Sequence, residues 1–184
     1  LNQCKKAMVE FKKAIMLIKT HQLNQFATAY NNIASCYGSI SQLDSAQKYV
    51  LAGIETSRIA GDLVSEANGL NILGTVYYSK KDYQSALDIF IQAKQIREKI
   101  GDPFFIVSDL STIADLYSRN GEFDKGIAAG KEALLIAEQN NLSAKLPIIY
   151  QSLANNYEAS GDYRSAADTY KKLNELKDSM YADA

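Results

Sequence analysis

LNILGTVYYSKKDYQSALDIFIQA, residues 70–93, decides the fold. Leu70, Leu73, Gly74 and Tyr77 follow one another by steps of three and four, as do Ala86, Ile89, Phe90 and Ala93. With about 3.6 residues per helical turn, each set falls on one face of an α-helix. Between the sets lies a short polar break, Lys81-Asp82, which suits a tight turn with an acidic residue capping the second helix. The stretch predicts two helices folded back on each other. Nothing in the chain alternates with period two for long enough to propose a strand.

The same pattern recurs in both directions. Tyr37, Tyr77, Tyr117 and Tyr157 stand forty residues apart, and so do Ile33, Leu73, Ile113 and Leu153. Small residues follow at Ala34, Gly74, Ala114 and Ala154, and again at Ala46, Ala86, Gly126 and Ala166. A bulky series precedes the second small one: Leu43, Tyr83, Phe123 and Tyr163. Five registers held through four blocks, with no insertion or deletion, define a true internal repeat. The short breaks are Ser41-Gln42, Lys81-Asp82, Gly121-Glu122 and Gly161-Asp162, with Gly after the first helix and an acid before the second where both are present. The joints between blocks read Ala60-Gly61-Asp62, Ile100-Gly101-Asp102 and Asn140-Asn141-Leu142. Asp102-Pro103 makes a cap and first turn, and Pro147 places the start of the next block's helix a residue or two before it.

These residues resemble the tetratricopeptide repeat, whose first helix carries a bulky residue, then Leu, Gly/Ala and Tyr, and whose second carries a small, an aromatic and a small residue. Leu70, Leu73, Gly74, Tyr77, Ala86, Phe90 and Ala93 match it closely, while Gly126 and Gly130 make the block after it a looser match. The period is forty rather than the commoner ~34, and Arg58, Glu98 and Glu138 stand where the family has its helix-ending proline. The resemblance implies an all-α, right-handed superhelical solenoid of antiparallel helix pairs. The chain parses as a single array over 1–184: a second helix and joint over 1–26, then repeats over 27–66, 67–106, 107–146 and 147–184. Ala7, Phe11 and Ala14 have the small-aromatic-small spacing of that opening helix, which makes about nine helices in all. The last helix, with Tyr163, Tyr170, Leu173, Leu176, Met180 and Tyr181, lacks the polar surface of a capping helix. The expectation is an excised array, or one whose uncapped ends pack on other segments or pair as a homo-oligomer.

The resemblance also implies where a ligand would lie, in the concave groove lined by the first helix of each pair. Carried onto this chain, the groove positions include Asn31, Ser35, Gly38, Asn71, Ile72, Thr75, Tyr78, Ser111, Asp115, Arg119, Gln151, Asn155 and Glu158. Amides and hydroxyls dominate, and such groups meet the alternating N–H and C=O of an extended peptide. Asn31, Asn71, Ser111 and Gln151 share one register and are expected to form a ladder, with Tyr78 as an aromatic anchor. Asp115 and Arg119, four apart, read either as an electrostatic handle for a ligand or, the favoured reading, as an ordinary i,i+4 ion pair. Arg119 alone does not make the carboxylate clamp of cochaperone-type arrays.

Composition narrows the function further. Lys and Arg number 20 against 21 Asp and Glu, a net charge of −1, unlike the basic balance of a nucleic-acid or anionic-membrane binder. No apolar run approaches the ~20 residues of a membrane helix. The lone His21 reads as a loop residue, and Cys4 and Cys36 are too few for a zinc site; Cys36, in register with Val76 and Leu116, reads as a buried apolar residue. No catalytic constellation, cofactor loop or metal set is expected. The reading is a non-enzymatic scaffold that binds a protein or extended peptide segment. The alternative is the sensory or regulatory arm of a bacterial sensor kinase or transcriptional regulator, suggested by the stretch from Lys171 to Ser179. The compartment is not encoded.

Overall fold

The computed structural model describes residues 26–182, with side chains to 178, and ahead of them the single positions 6, 9, 10, 13 and 16. Eight α-helices follow in order: α1 Ala27–Ser39, α2 Leu43–Ala60, α3 Leu63–Ser79, α4 Tyr83–Ile100, α5 Pro103–Arg119, α6 Phe123–Gln139, α7 Leu146–Ser160 and α8 Tyr163–Ala182. A 3-10 turn, Ser143–Lys145, precedes α7. The described residues contain no strand, as the periodicity requires. Within the opening helix and joint expected over 1–26, Lys6, Val9, Glu10, Lys13 and Met16 are helical and exposed. Cys4, Ala7, Phe11, Ala14 and His21 lie outside the described residues.

The turns explain why the helices stop where they do. Seven residues between helices take left-handed φ: Ser41 at 60°, Gly61 at 67°, Lys81 at 63°, Gly101 and Gly121 at 76°, Asn141 at 55° and Gly161 at 86°. They stand twenty residues apart throughout. After α1, α3, α5 and α7 the next amide reaches back to the register tyrosine: Gln42 to Tyr37, Asp82 to Tyr77, Glu122 to Tyr117 and Asp162 to Tyr157, at 2.8–3.0 Å. This closes the last turn in the manner of a Schellman motif. Glycine takes this φ without strain, whereas Ser41, Lys81 and Asn141 hold it at a cost of about 1–2 kcal/mol.

Side-chain caps start the next helix. The carboxylates of Asp62, Asp82, Asp102 and Asp162 accept from the amides of Ser65, Ser85, Phe105 and Ser165 at 3.0–3.3 Å. Glu122, expected to do the same for α6, makes no such bond; its longer side chain pairs with Lys125 instead. Pro147 lies in the first turn of α7, one residue after Leu146, as read from sequence. The helix pairs span 27–60, 63–100, 103–139 and 146–182, so the expected boundaries at 66/67 and 106/107 fall inside α3 and α5. The caps at Asp62 and Asp102 extend those helices ahead of the first in-register apolar residue.

Two compact units form, Leu1–Ile100 and Gly101–Ala184, each with two helix pairs among the described residues. In the first, α3 packs on α2 and on α1, and Ala34, Val50, Ile54, Leu70, Leu73 and Ala93 share one core. Burying each large aliphatic side chain there stabilises by about 1.5–3 kcal/mol. Gly74 brings the α3 and α4 backbones together: a Cβ on it would stand 2.7 Å from the Phe90 ring. In the second unit Val107, Leu110, Ile113, Leu116, Ile149 and Leu153 are buried in the same periodicity. There α5 pairs with α6, and α7 packs on both.

Candidate functional site

In the Leu1–Ile100 unit the C-terminal halves of α1 and α3 leave a cleft of about 430 Å3. Ser35, Gly38, Asn71, Ile72 and Thr75, all expected groove positions, line it. Ala34, Leu43 and Val76 add apolar surface, and Ser39 and Ser79 add hydroxyls. None of these side chains is charged. Thr75 Oγ1 donates to the Asn71 carbonyl and Ser79 Oγ to the Thr75 carbonyl, both at 2.9 Å. Ser39 and Ser79 were missed by the sequence reading, although each lies four residues beyond a predicted groove residue. Tyr78 does not line this cleft; half-buried, it packs edge-on against Tyr83 with centroids 5.6 Å apart.

A polar bridge also joins these two helix pairs. Lys80 Nζ donates to Asp44 Oδ1 at 2.7 Å and to Gln47 Oε1 at 2.8 Å, and Gln47 Nε2 donates to the Tyr77 hydroxyl at 3.3 Å. The hydrogen bond from Lys80, then its charge, lowers the Asp44 pKa. Water around the Asp44 carboxylate screens the pair, so it adds little to stability.

Two members of the expected ladder are corrected. Asn31 is only 4% exposed, and its Nδ2 donates to the Ser65 carbonyl at 2.9 Å. Its Oδ1 lies where a Cβ on Gly53 or Gly69 would come within 2.4 or 3.1 Å. The two glycines leave room for the amide, so it turns into the packing between α1, α2 and α3 rather than into a groove. Ser111 is 3% exposed and donates to the Val107 carbonyl at 2.9 Å; it is short enough to be covered completely. Asn71 and Gln151 are half-buried and remain partly accessible.

The Gly101–Ala184 unit presents a different polar surface. Arg119 Nε donates to Asp115 Oδ2 at 2.8 Å, the local pair read from their spacing. Along α7, Gln151 Nε2 donates to Asn155 Oδ1 at 3.0 Å. The Tyr170 hydroxyl, from α8, lies 2.9 Å from Glu158 Oε2 and 3.0 Å from Asn155 Oδ1 as donor. Burial first, then the Glu158 carboxylate, raises the Tyr170 pKa. The sequence places Tyr170 among the apolar residues of the last helix and gives no sign of this bridge, because periodicity places a ring but not its hydroxyl.

One register holds a second correction. Cys36 is half-buried rather than enclosed. The fully buried polar residue of that register is Asn156, whose Nδ2 donates to the carbonyls of Ser152 at 2.9 Å and Ala114 at 3.2 Å. Among the described residues no three His, Cys, Asp or Glu side chains come together as a metal set, and no helix is long and apolar enough to cross a membrane.

Paired helices closed by identical turns at a fixed interval define a helical-repeat protein. The chain belongs to the tetratricopeptide repeat family, which matches residues 25–102 and 108–177. Response regulator aspartate phosphatase E of Bacillus subtilis (strain 168) is 28% identical over 118 residues, 63% of this chain and 30% of that protein. The chain thus spans less than a third of that relative. Among solved structures, the apo form of RapI superposes with a TM-score of 0.84 at 16% identity, over 97% of this chain and 50% of that one. A signal-transduction ATPase with numerous domains and a tetratricopeptide repeat sensor, from Pyrococcus horikoshii, gives a TM-score of 0.78 at 25% identity, over 94% of this chain and 28% of that one.

Proposed function

We propose that the chain is a binding scaffold, acting without catalysis of its own, for a protein or extended peptide segment. The observation that carries this reading is the cleft between α1 and α3, apolar beneath and rimmed by Asn71, Thr75 and Ser79. Hydroxyls and amides satisfy a peptide backbone, while the apolar surface contributes burial. The groove assignments Asn71, Thr75, Tyr78, Asp115, Arg119, Gln151 and Asn155 belong to this proposal. The test is selection from a random peptide library followed by binding to variants. Asn71→Ala and Thr75→Ala each weaken a selected peptide by about tenfold, ~1.4 kcal/mol, with unchanged circular dichroism. Equal affinity in both variants moves the site elsewhere, and a library that yields no binder sinks the reading.

A second reading, the sensory or regulatory arm of a signalling protein, is favoured by two similar proteins, one a response regulator aspartate phosphatase and one carrying a tetratricopeptide repeat sensor. A reading frame joining these residues to a kinase or DNA-binding domain supports it. A frame without any signalling domain defeats it.

A further inference from the structure

We propose that the α1–α3 cleft takes one uncharged aliphatic side chain of the bound polypeptide, and that Gly38 is the residue that admits it. This rests on the peptide-binding reading above and names what that site selects. Gly38 lies one residue before the end of α1 and lines the cleft, and a Cβ built on it meets nothing within 4 Å. It is therefore a helical glycine that packing does not require, unlike Gly53, Gly69 and Gly74, where an added Cβ would collide. Helix propensity opposes glycine at such a position. The register shows the alternative: forty residues on stands Tyr78, whose ring occupies its own corner against Tyr83. Glycine at 38 leaves the corresponding space empty.

The chemistry of the space follows from its lining. At about 430 Å3 it lies low in the range of ~300–1,000 Å3 for ligand clefts, enough for a side chain and its flanking backbone. Ala34, Ile72 and Val76 offer no partner to a buried charge, and no acidic or basic group lines the cleft. A carboxylate or ammonium entering it loses hydration without compensation. At the rim, Thr75 and Ser79 commit their protons to helix carbonyls, so their oxygens meet a ligand as acceptors, the complement of a backbone N–H. An aliphatic side chain below and amide donors above satisfy both layers.

The test uses N-acetyl-leucinamide, N-acetyl-lysinamide and the α-amide of N-acetyl-glutamate as probes, read by amide chemical shifts of the 15N-labelled chain. The leucine probe moves the amides of Gly38, Ser39, Asn71 and Thr75, and the two charged probes bind at least about tenfold more weakly. Gly38→Leu fills the cleft and abolishes the shifts, while its melting temperature stays level or rises by up to about 2–4 °C. Gly38→Ala, which adds one methyl, keeps them. Charged probes that bind as well as leucine, or a Gly38→Leu protein that binds like the parent, overturn the proposal. If library peptides bind and depend on Asn71 yet ignore Gly38→Leu, this inference fails and the wider reading stands. If the leucine probe enters the cleft but no peptide binds, the pocket stands and the wider reading fails.

Discussion

Asn31 and Asn156 each bury an amide against glycines, one in each unit, and the two arrangements account for residues that look weak in sequence. Gly126 departs from the alanine of its register because Asn156 Oδ1 occupies the space: a Cβ there would stand 2.0 Å from it. Gly130, where the repeat expects an aromatic, faces Leu153, whose Cδ2 would lie 2.6 Å from an added Cβ. The looseness of that block is thus an exchange of bulk between helices. Gly126→Ala should destabilise by about 1–3 kcal/mol through overpacking. Paired with Asn156→Ala, the same substitution should cost at least about 1 kcal/mol less, since the clashing amide is gone. Urea unfolding of the four proteins of this cycle measures the coupling, and an additive result would refute the contact. None of this was legible in the sequence, where a glycine at a small position announces nothing about the amide opposite.

At the scale of the helix, the repeated aspartate caps set an acid limit. Hydrogen bonds from the Ser65, Ser85 and Ser165 hydroxyls, then from their backbone amides, hold Asp62, Asp82 and Asp162 below the ordinary value of 3.8. A carboxyl whose pKa is lower in the folded chain contributes stability above its unfolded pKa, and that contribution is lost as pH falls through the folded value. Stability should therefore be flat with respect to these groups above about pH 5 and decline below about pH 4. Replacing all three by Asn preserves a side-chain acceptor for each cap. The triple variant should lose part of the acid sensitivity while keeping most of its stability at pH 7. Thermal melts at pH 7, 5 and 3 check this; an unchanged acid slope would assign the sensitivity to other carboxylates. These caps were readable in advance, because Asp followed by an apolar period is a local signal. Glu122 misled for an equally local reason, one methylene too many.

Over the whole chain, the paired helices and their phase were legible because apolar spacing and turn chemistry repeat the same statement in every block. The candidate site was legible only in outline. Ser35, Gly38, Asn71, Ile72 and Thr75 do line one cleft, whereas Asn31 and Ser111 turn inward, a choice made by the residues opposite rather than by the register. Because each repeat contacts mainly its neighbours, damage should stay local. Gly74→Leu must displace Phe90 and should destabilise by about 1–3 kcal/mol or more. In hydrogen exchange, protection should fall first in α3 and α4 and much less in α7 and α8. Uniform loss of protection would show that the chain unfolds as one cooperative body instead.

The left-handed residues from Ser41 to Gly161 recur every twenty positions, and this bears on how such a gene can change. Recombination between any two of them an even number of intervals apart adds or removes whole helix pairs, leaving every downstream side chain in phase. A crossover an odd number of intervals apart would join a first helix to a first helix and place small residues against small ones. The turns therefore act as splice points with a built-in parity rule, and lineages of this sequence should differ in length by forties.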